Sequence, residues 1–114
     1  MKIHKSAIVH PDVVLGEEVE IGPFSIIGAN VTIGEGTIIK NHVTITGNTS
    51  IGKNNIIHPN AVLGAEPQDL KYRGECTFLE MGDNNVVREG VTINAGTAGG
   101  GGKTVIGNNN FFMA

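Results

Sequence analysis

The stretch that decides the fold is VEIGPFSIIGANVTIGEGTII, which covers residues 19–39. An aliphatic residue recurs there at every sixth position, and the same spacing extends in both directions along the chain. Two residues before each aliphatic stands a small, β-branched or polar residue, and side chains two apart on a strand share a face. The sequence therefore predicts an inward-facing pair in every hexad. The aliphatic members of the series are Ile3, Val9, Leu15, Ile21, Ile27, Ile33, Ile39, Ile45, Ile51, Ile57 and Leu63.

The residue after each inward aliphatic is usually suited to a turn. It is often glycine, as at Gly16, Gly22, Gly28, Gly34, Gly52 and Gly64, which predicts corners with positive φ. Such a corner is too short for the crossover that adjacent parallel strands require, so consecutive hexads are not expected to pair. Six-residue repeats are typical of a parallel β-helix, in which each strand pairs with its equivalent in the next coil. The predicted fold class is all-β.

The composition excludes several classes of protein. The 114 residues carry a net charge of −3 and contain no run of lysine or arginine, which argues against nucleic acid or an anionic membrane as the main partner. The N-terminal residues are polar and charged, and no long apolar run follows them, so we expect no secretory signal and no integral membrane segment. The single cysteine, Cys76, fits a reducing, cytoplasmic location.

The hexad repeat breaks twice. The first break falls at Asp69 and Glu75, where aliphatic residues are due, and Met81 resumes the original phase. The second break contains four consecutive glycines, after which Ile106 restarts the repeat one residue out of phase. We predict two loops that leave the scaffold, at about residues 68–80 and 94–105. Such loops commonly carry binding residues, although a tolerated insertion is the alternative.

Four histidines raise the question of a metal site: His4, His10, His42 and His58. Three of them follow an inward aliphatic, at the position where other hexads place a corner glycine, and two precede proline. We interpret these side chains as solvent-facing corner residues. No metal site is predicted, and a zinc enzyme is the least favoured class.

Motifs at the two breaks carry a family resemblance. QDLKY at residues 68–72 and REGVTI at residues 88–93, which leads into Gly96-Thr97 and the glycine run, resemble the N-terminal half of the bacterial acyl-carrier-protein–UDP-N-acetylglucosamine O-acyltransferases of lipid A biosynthesis. The resemblance implies a left-handed parallel β-helix, a triangular prism with three hexads in each coil. It also implies a homotrimer with active sites in the clefts between subunits. The implied reaction moves a 3-hydroxyacyl chain from acyl carrier protein to the 3-hydroxyl of UDP-N-acetylglucosamine, without a cofactor.

The same resemblance supplies the candidate substrate-binding residues. Gln68, Asp69, Lys71 and Asn94 are predicted to bind substrate, since amide and carboxylate groups hydrogen-bond sugars and an ammonium can meet phosphate. Asn94 departs from the family pattern, because many relatives carry histidine there.

The resemblance places the catalytic residue outside the chain. The general-base histidine of the family follows the segment that matches residues 111–114, so it is expected to lie beyond Ala114. No catalytic residue is therefore predicted among the 114 residues. We expect a truncated single β-helix domain over residues 1–114, without the C-terminal coils and helical domain of the family.

Two other functions stay open at this stage. One is a related hexapeptide acyltransferase, above all an N-acyltransferase that acts on a UDP-sugar. The other is a non-catalytic β-helical assembly protein, which the missing general base favours. The motifs at residues 68–72 and 99–102 favour the O-acyltransferase.

Overall fold

The computed structural model describes residues 2–65, 77–96 and 102–114. Within these residues the chain forms sixteen short strands and no helix, so the described part contains nothing long and apolar enough to cross a bilayer as a helix. The strands are β1 (Lys2–Ile3), β2 (Ile8–Val9), β3 (Val14–Leu15), β4 (Glu20–Ile21), β5 (Ile26–Ile27), β6 (Val31–Ile33), β7 (Ile38–Ile39), β8 (Thr44–Ile45), β9 (Asn48–Ile51), β10 (Ile56–Ile57), β11 (Val62–Leu63), β12 (Phe78–Met81), β13 (Val86–Val87), β14 (Thr92–Ile93), β15 (Lys103–Ile106) and β16 (Phe111–Phe112).

The strands form three parallel sheets. Sheet A contains β1, β4, β7, β10, β13 and β16, sheet B contains β2, β5, β8, β11 and β14, and sheet C contains β3, β6, β9, β12 and β15. Each strand pairs with the third strand after it, so that Ile21 lies beside Ile39, 18 residues later. One coil therefore takes three hexads, and the sheets form the sides of a triangular prism. We name its edges AB, BC and CA after the sheets that the corners join.

The predicted inward positions form the core. From Ile21 to Leu63 every aliphatic of the series is buried, and each contributes roughly 1.5–3 kcal/mol by its burial. Ile3 differs, because it is 43% exposed although it pairs in register with Ile21. It lies in the first coil and is covered by only one neighbouring coil.

Buried polar side chains form a second inward column at the CA edge. The Thr37 hydroxyl donates to the Gly52 carbonyl oxygen at 2.8 Å, and the Asn55 side-chain amide donates to the Gly82 carbonyl oxygen at 3.0 Å. The Asn85 amide continues the series by donating to the Gly107 carbonyl oxygen at 2.9 Å. Among the described residues no buried side-chain nitrogen or oxygen is left without a hydrogen-bond partner. We call Thr37, Asn55 and Asn85 the polar ladder.

The reason for the corner glycines differs from the sequence prediction. Of the six named glycines, only Gly64 has a positive φ, at 80°. A Cβ at Gly22 or Gly34 would instead lie within 2.8 Å of the backbone of the next coil. These glycines therefore allow close stacking of coils. The left-handed backbone falls two residues further on, as at Glu18 and Phe24.

Strand register gives the lengths of the two breaks. Leu63 pairs with Ile93, 30 residues later instead of 18, so the first break adds twelve residues, or two hexads. Met81 pairs with Ile106, 25 residues later, so the second break adds seven and shifts the phase by one. The predicted loop ranges are too long at their C-terminal ends, because Phe78–Met81 and Lys103–Ile106 are strands.

Candidate functional site

Both breaks open from the BC edge, one coil apart. The chain leaves sheet B after β11, at Gly64, and sheet C begins again at Phe78. It leaves sheet B a second time after β14, at Asn94, and returns to sheet C at Lys103. Since β11 pairs with β14, and β12 with β15, the points of departure and return stack on each other. The two loops therefore emerge side by side from one edge of the prism.

Backbone hydrogen bonds join the bases of the two loops. The Ala95 N–H donates to the Ala65 carbonyl oxygen at 3.0 Å, which connects the two points of departure. The Gly96 N–H donates to the Phe78 carbonyl oxygen at 3.2 Å, and the Phe78 N–H donates to the Gly102 carbonyl oxygen at 2.9 Å. Phe78 thus holds the start of the second loop with its carbonyl and its end with its N–H.

The structure brings one of the predicted site residues to this edge. Asn94 is half-buried and follows β14 directly, in the same position one coil further on as Gly64. Gln68, Asp69 and Lys71 lie outside the described residues. Their role in substrate binding stays a prediction.

The position expected for the general base also stays a prediction. Ala114 is exposed and follows β16 by two residues, at the end of sheet A. A histidine beyond Ala114 falls outside the 114 residues.

A small polar groove lies beside the loop bases on sheet C. It has a volume of about 190 Å³, and its lining includes Thr32, Asn48, Ser50, Phe78 and Glu80. Hydroxyl, amide and carboxylate groups beside an aromatic ring can hydrogen-bond and pack against a sugar or another polyhydroxyl group.

The larger groove lies elsewhere. It measures about 610 Å³ and runs over sheet A in the first three coils, where Lys2, His4, Glu20 and Lys40 line it. Asn94 does not line this groove, and both breaks in the repeat lie on the BC edge. The loop bases are therefore the stronger candidate site, despite the smaller volume beside them.

The histidines lie at corners, as the sequence predicts. His4, His10 and His42 are exposed and His58 is half-buried. His10 is on the BC edge but in the first coil, four coils from Asn94, and the other three are on the AB edge. Across the described ranges no three His, Cys, Asp or Glu side chains gather as a metal site would require.

The REGVTI motif begins on the AB edge with an ion pair. The Arg88 guanidinium donates to both Glu89 carboxylate oxygens, at 2.9 and 3.3 Å. These hydrogen bonds lower the pKa of Glu89 to about 2 and raise that of Arg88. Burial, and then the positive charge of Arg88, lower the pKa of the neighbouring His58, so its neutral form is favoured.

Comparison with known proteins first gives the class. Residues 12–47 and 30–65 match the family model described as bacterial transferase hexapeptide (six repeats). A crystal structure of a UDP-N-acetylglucosamine acyltransferase superposes on the whole chain with a TM-score of 0.98 and 49% identity, and the chain covers 44% of it. The protein is thus a hexapeptide-repeat protein with a left-handed parallel β-helix.

Sequence relatives then give the family. The chain is 54% identical over 113 residues to the acyl-(acyl-carrier-protein)–UDP-N-acetylglucosamine O-acyltransferase of Myxococcus xanthus (strain DK1622), with 99% of this chain and 44% of the relative covered. It is 53% identical over 112 residues to the protein of that name from Xanthomonas euvesicatoria pv. vesicatoria (strain 85-10), with 98% and 43% covered. The chain belongs to the acyl-(acyl-carrier-protein)–UDP-N-acetylglucosamine O-acyltransferase family, as the sequence motifs predict. It spans less than half the length of these relatives.

Sequence reasoning missed that both breaks open on one edge. The signal was present, because the first break adds two hexads outside the coil and a coil takes three. Counting in coils places Ile93 beside Leu63 and so brings the two loops together. The residues that hold the loop bases, such as Asn48, have no comparable signal in the hexad pattern.

Proposed function

We propose that this chain forms part of an acyltransferase that moves a 3-hydroxyacyl chain from acyl carrier protein to the 3-hydroxyl of UDP-N-acetylglucosamine, a step of lipid A biosynthesis. The observation that carries the proposal is the identity of 53–54% over nearly the whole chain to relatives named for this activity. Convergence of both loop bases on the BC edge supports it, because the REGVTI motif ends in β14, which leads to that edge, and the segment that contains QDLKY departs from it. The acyl group arrives on its carrier, so the proposed reaction needs no further cofactor.

In the proposed reaction the loop residues bind the acceptor, and a separate general base removes its proton. A general base takes the proton of the sugar hydroxyl, the oxygen attacks the thioester carbonyl carbon, the carbon–sulfur bond breaks, and the carrier thiolate is protonated. Gln68, Asp69, Lys71 and Asn94 hold the acceptor in this proposal. The base is a histidine beyond Ala114, as the family resemblance implies.

We also propose that the protein works in the cytoplasm as a homotrimer. Support for self-association comes from exposed apolar side chains on the outer faces of sheets A and B, including isoleucines on the adjacent strands β2 and β5. Ile8 is 65% exposed and Ile26 is 46% exposed on sheet B, and Phe111 is 59% exposed on sheet A. Exposed apolar patches of this kind commonly mark contact surfaces.

The test is an acyl-transfer assay on the natural polypeptide that carries these residues. With 3-hydroxyacyl carrier protein and UDP-N-acetylglucosamine, we expect a product whose mass and NMR spectrum show an ester at the sugar 3-oxygen. An amide on an amino sugar would instead establish the N-acyltransferase. Absence of both product and acceptor binding would leave a structural assembly protein.

A matched pair of variants ties the activity to the first loop. Lys71→Ala should lower kcat/KM about tenfold to a hundredfold, because a hydrogen bond to a charged group contributes roughly 1.5–3 kcal/mol. Lys53→Ala is the control, since Lys53 is an exposed cation on the CA edge, away from both loops. Equal activity of the two variants would remove Lys71 from the site.

A further inference from the structure

We propose that Asn48 and Gly64 are positioning residues, which fix where the chain leaves and rejoins the prism around residues 66–76. That segment contains Gln68, Asp69 and Lys71, so the inference rests on the proposed function and adds two residues to it. Neither residue is part of the family motifs at the breaks.

Gly64 holds the point of departure. It is buried, its φ is 80°, and a Cβ there would collide with the Thr49 hydroxyl oxygen and the Thr46 carbonyl oxygen. The two obstructing atoms are fixed to each other, because the Thr49 hydroxyl donates to the Thr46 carbonyl oxygen at 2.7 Å. Backbone conformation and close packing therefore both require glycine at this corner.

The close packing at Gly64 is not shared by the glycine at the equivalent position two coils earlier. Gly28 occupies the equivalent position on the BC edge two coils earlier, and its N–H makes the equivalent hydrogen bond to the next coil. A Cβ on Gly28 would meet its nearest atoms at 3.5 Å, an ordinary contact, and its φ is not positive. Corners of this edge thus do not need glycine in general.

Asn48 holds the point of return. Its side-chain amide donates to the carbonyl oxygen of Thr77 at 3.1 Å, immediately before β12 begins. Thr77 is 7% exposed, so this bond lies away from most competing water. Residues 46–49 of the third coil therefore hold the departure point through Thr46 and Thr49, and the return point through Asn48.

One four-residue stretch thus contacts the chain at both ends of the first loop. Because the loop base also carries the second loop through Ala65 and Phe78, a shift at residues 46–49 would reach Asn94 as well. Small displacements of substrate-positioning groups weaken binding and catalysis strongly. The expected consequence of losing either contact is weaker acceptor binding with the prism intact.

Two control variants match the two test variants, Asn48→Ala and Gly64→Ala, in the natural polypeptide. Asn41→Ala also removes a half-buried amide, whose side-chain nitrogen lies 2.9 Å from the His42 ring nitrogen on the AB edge, away from both loops. Gly28→Ala adds the same methyl group at the BC edge, two coils before the loop.

The experiment measures three quantities for each variant. They are the KM for UDP-N-acetylglucosamine, the rate of tryptic cleavage after Lys71 and Arg73, and the melting temperature. We expect Asn48→Ala to raise the KM about tenfold, the effect of roughly 1.4 kcal/mol, and to speed cleavage after Lys71 and Arg73 severalfold. The two control variants should behave as the unchanged protein does.

The readouts separate the two proposals. Cleavage rates after Lys71 and Arg73 that are equal in Asn48→Ala and Asn41→Ala would overturn the positioning role, whatever the enzyme does. Faster cleavage with an unchanged KM would overturn the link to substrate binding. Failure of the unchanged protein to bind UDP-N-acetylglucosamine would sink the proposed function, and the cleavage rates would still decide the positioning. If Gly64→Ala lowers the melting temperature of the whole prism, Asn48→Ala alone decides.

Discussion

Some corner residues adopt a strained backbone conformation because the turns of the repeat are short. The second turn residue of many corners has a left-handed backbone, and glycine or asparagine usually occupies it, as at Gly36 (φ 73°) and Asn54 (φ 55°). Glu18 takes the same position on the CA edge with φ 61°, where its Cβ is unfavourable. The six-residue period could not reveal this strain, because it fixes which residues face inward and leaves corner dihedrals open.

Relief of that strain gives the first prediction. Glu18→Gly should stabilise the fold by about 0.5–1 kcal/mol, since it removes a left-handed penalty of roughly 1–2 kcal/mol and adds unfolded-chain entropy worth roughly 0.4–1 kcal/mol. Urea denaturation of the two proteins measures the difference. Glu17→Gly is the matched control, because Glu17 is the preceding exposed residue and has no positive φ. It should destabilise, and a loss of stability in both variants would contradict the explanation.

The charge state of His58 gives the second prediction. Its pKa lies below the usual 6.5, so the unfolded chain binds more protons than the folded chain near that pH. The corresponding stability is therefore present above pH 6.5 and is lost as the pH falls from 6.5 towards the lower folded value. His58→Gln should flatten the pH dependence of unfolding between about pH 7.5 and about pH 5. An NMR titration midpoint of His58 above 6.5 would show that the sign is wrong.

Side-chain ladders along the prism link successive coils at the scale of the element. The phase of the hexads predicts that Thr37 and Asn55 face inward, and both are buried. It cannot show why polar residues are acceptable there, because the reason lies in a neighbouring coil. The side-chain oxygen Oδ1 of Asn55 accepts a hydrogen bond from the Asn85 backbone N–H at 2.8 Å. In the same way, Oδ1 of Asn85 accepts one from the Asn110 backbone N–H at 2.8 Å. Asn55 thus satisfies the N–H of the buried Asn85, which the corner would otherwise bury unpaired.

The polar ladder makes a quantitative prediction. Asn55→Leu should lower the free energy of unfolding by roughly 2–6 kcal/mol, because the half-buried Gly82 carbonyl and the buried Asn85 N–H both lose a partner, at roughly 1–3 kcal/mol each. Denaturant titration monitored by circular dichroism measures this. Asn30→Leu is the control, since Asn30 is exposed and lies on the BC edge. A similar small change in both variants would mean that water reaches the ladder.

For the whole molecule, the sequence predicts the column of buried aliphatics and the phase in which the repeat resumes after each break, because both follow from counting residues. Counting cannot give the handedness, which came with the family resemblance. Counting also does not show which outer face makes contacts with other molecules, because the repeat constrains only the inward positions. Outward positions such as Ile26 and Thr32 are equally unconstrained. The structure separates them. On sheet C the adjacent strands β6 and β9 carry polar side chains outward, among them Thr32 and Ser50, and the exposed apolar residues Val14, Phe78 and Val105 lie on the other three strands. On sheet B the adjacent strands β2 and β5 each carry an outward isoleucine.

That asymmetry predicts which faces mediate self-association. Ile26→Lys places a charge on the outer face of sheet B and should dissociate an assembly whose contacts bury that face, because an unpaired charge at a contact is costly. Sedimentation equilibrium of the 114-residue chain should give the mass of three 11.9-kDa chains before the change and of one chain after it. Thr32→Lys is the matched control on sheet C and should leave the trimer intact. Both side chains point outward, so neither substitution disturbs the buried column, and thermal unfolding should remain cooperative in each. If Thr32→Lys dissociates the trimer and Ile26→Lys does not, sheet C is the contact face, and the exposed aliphatics on sheet B have another role.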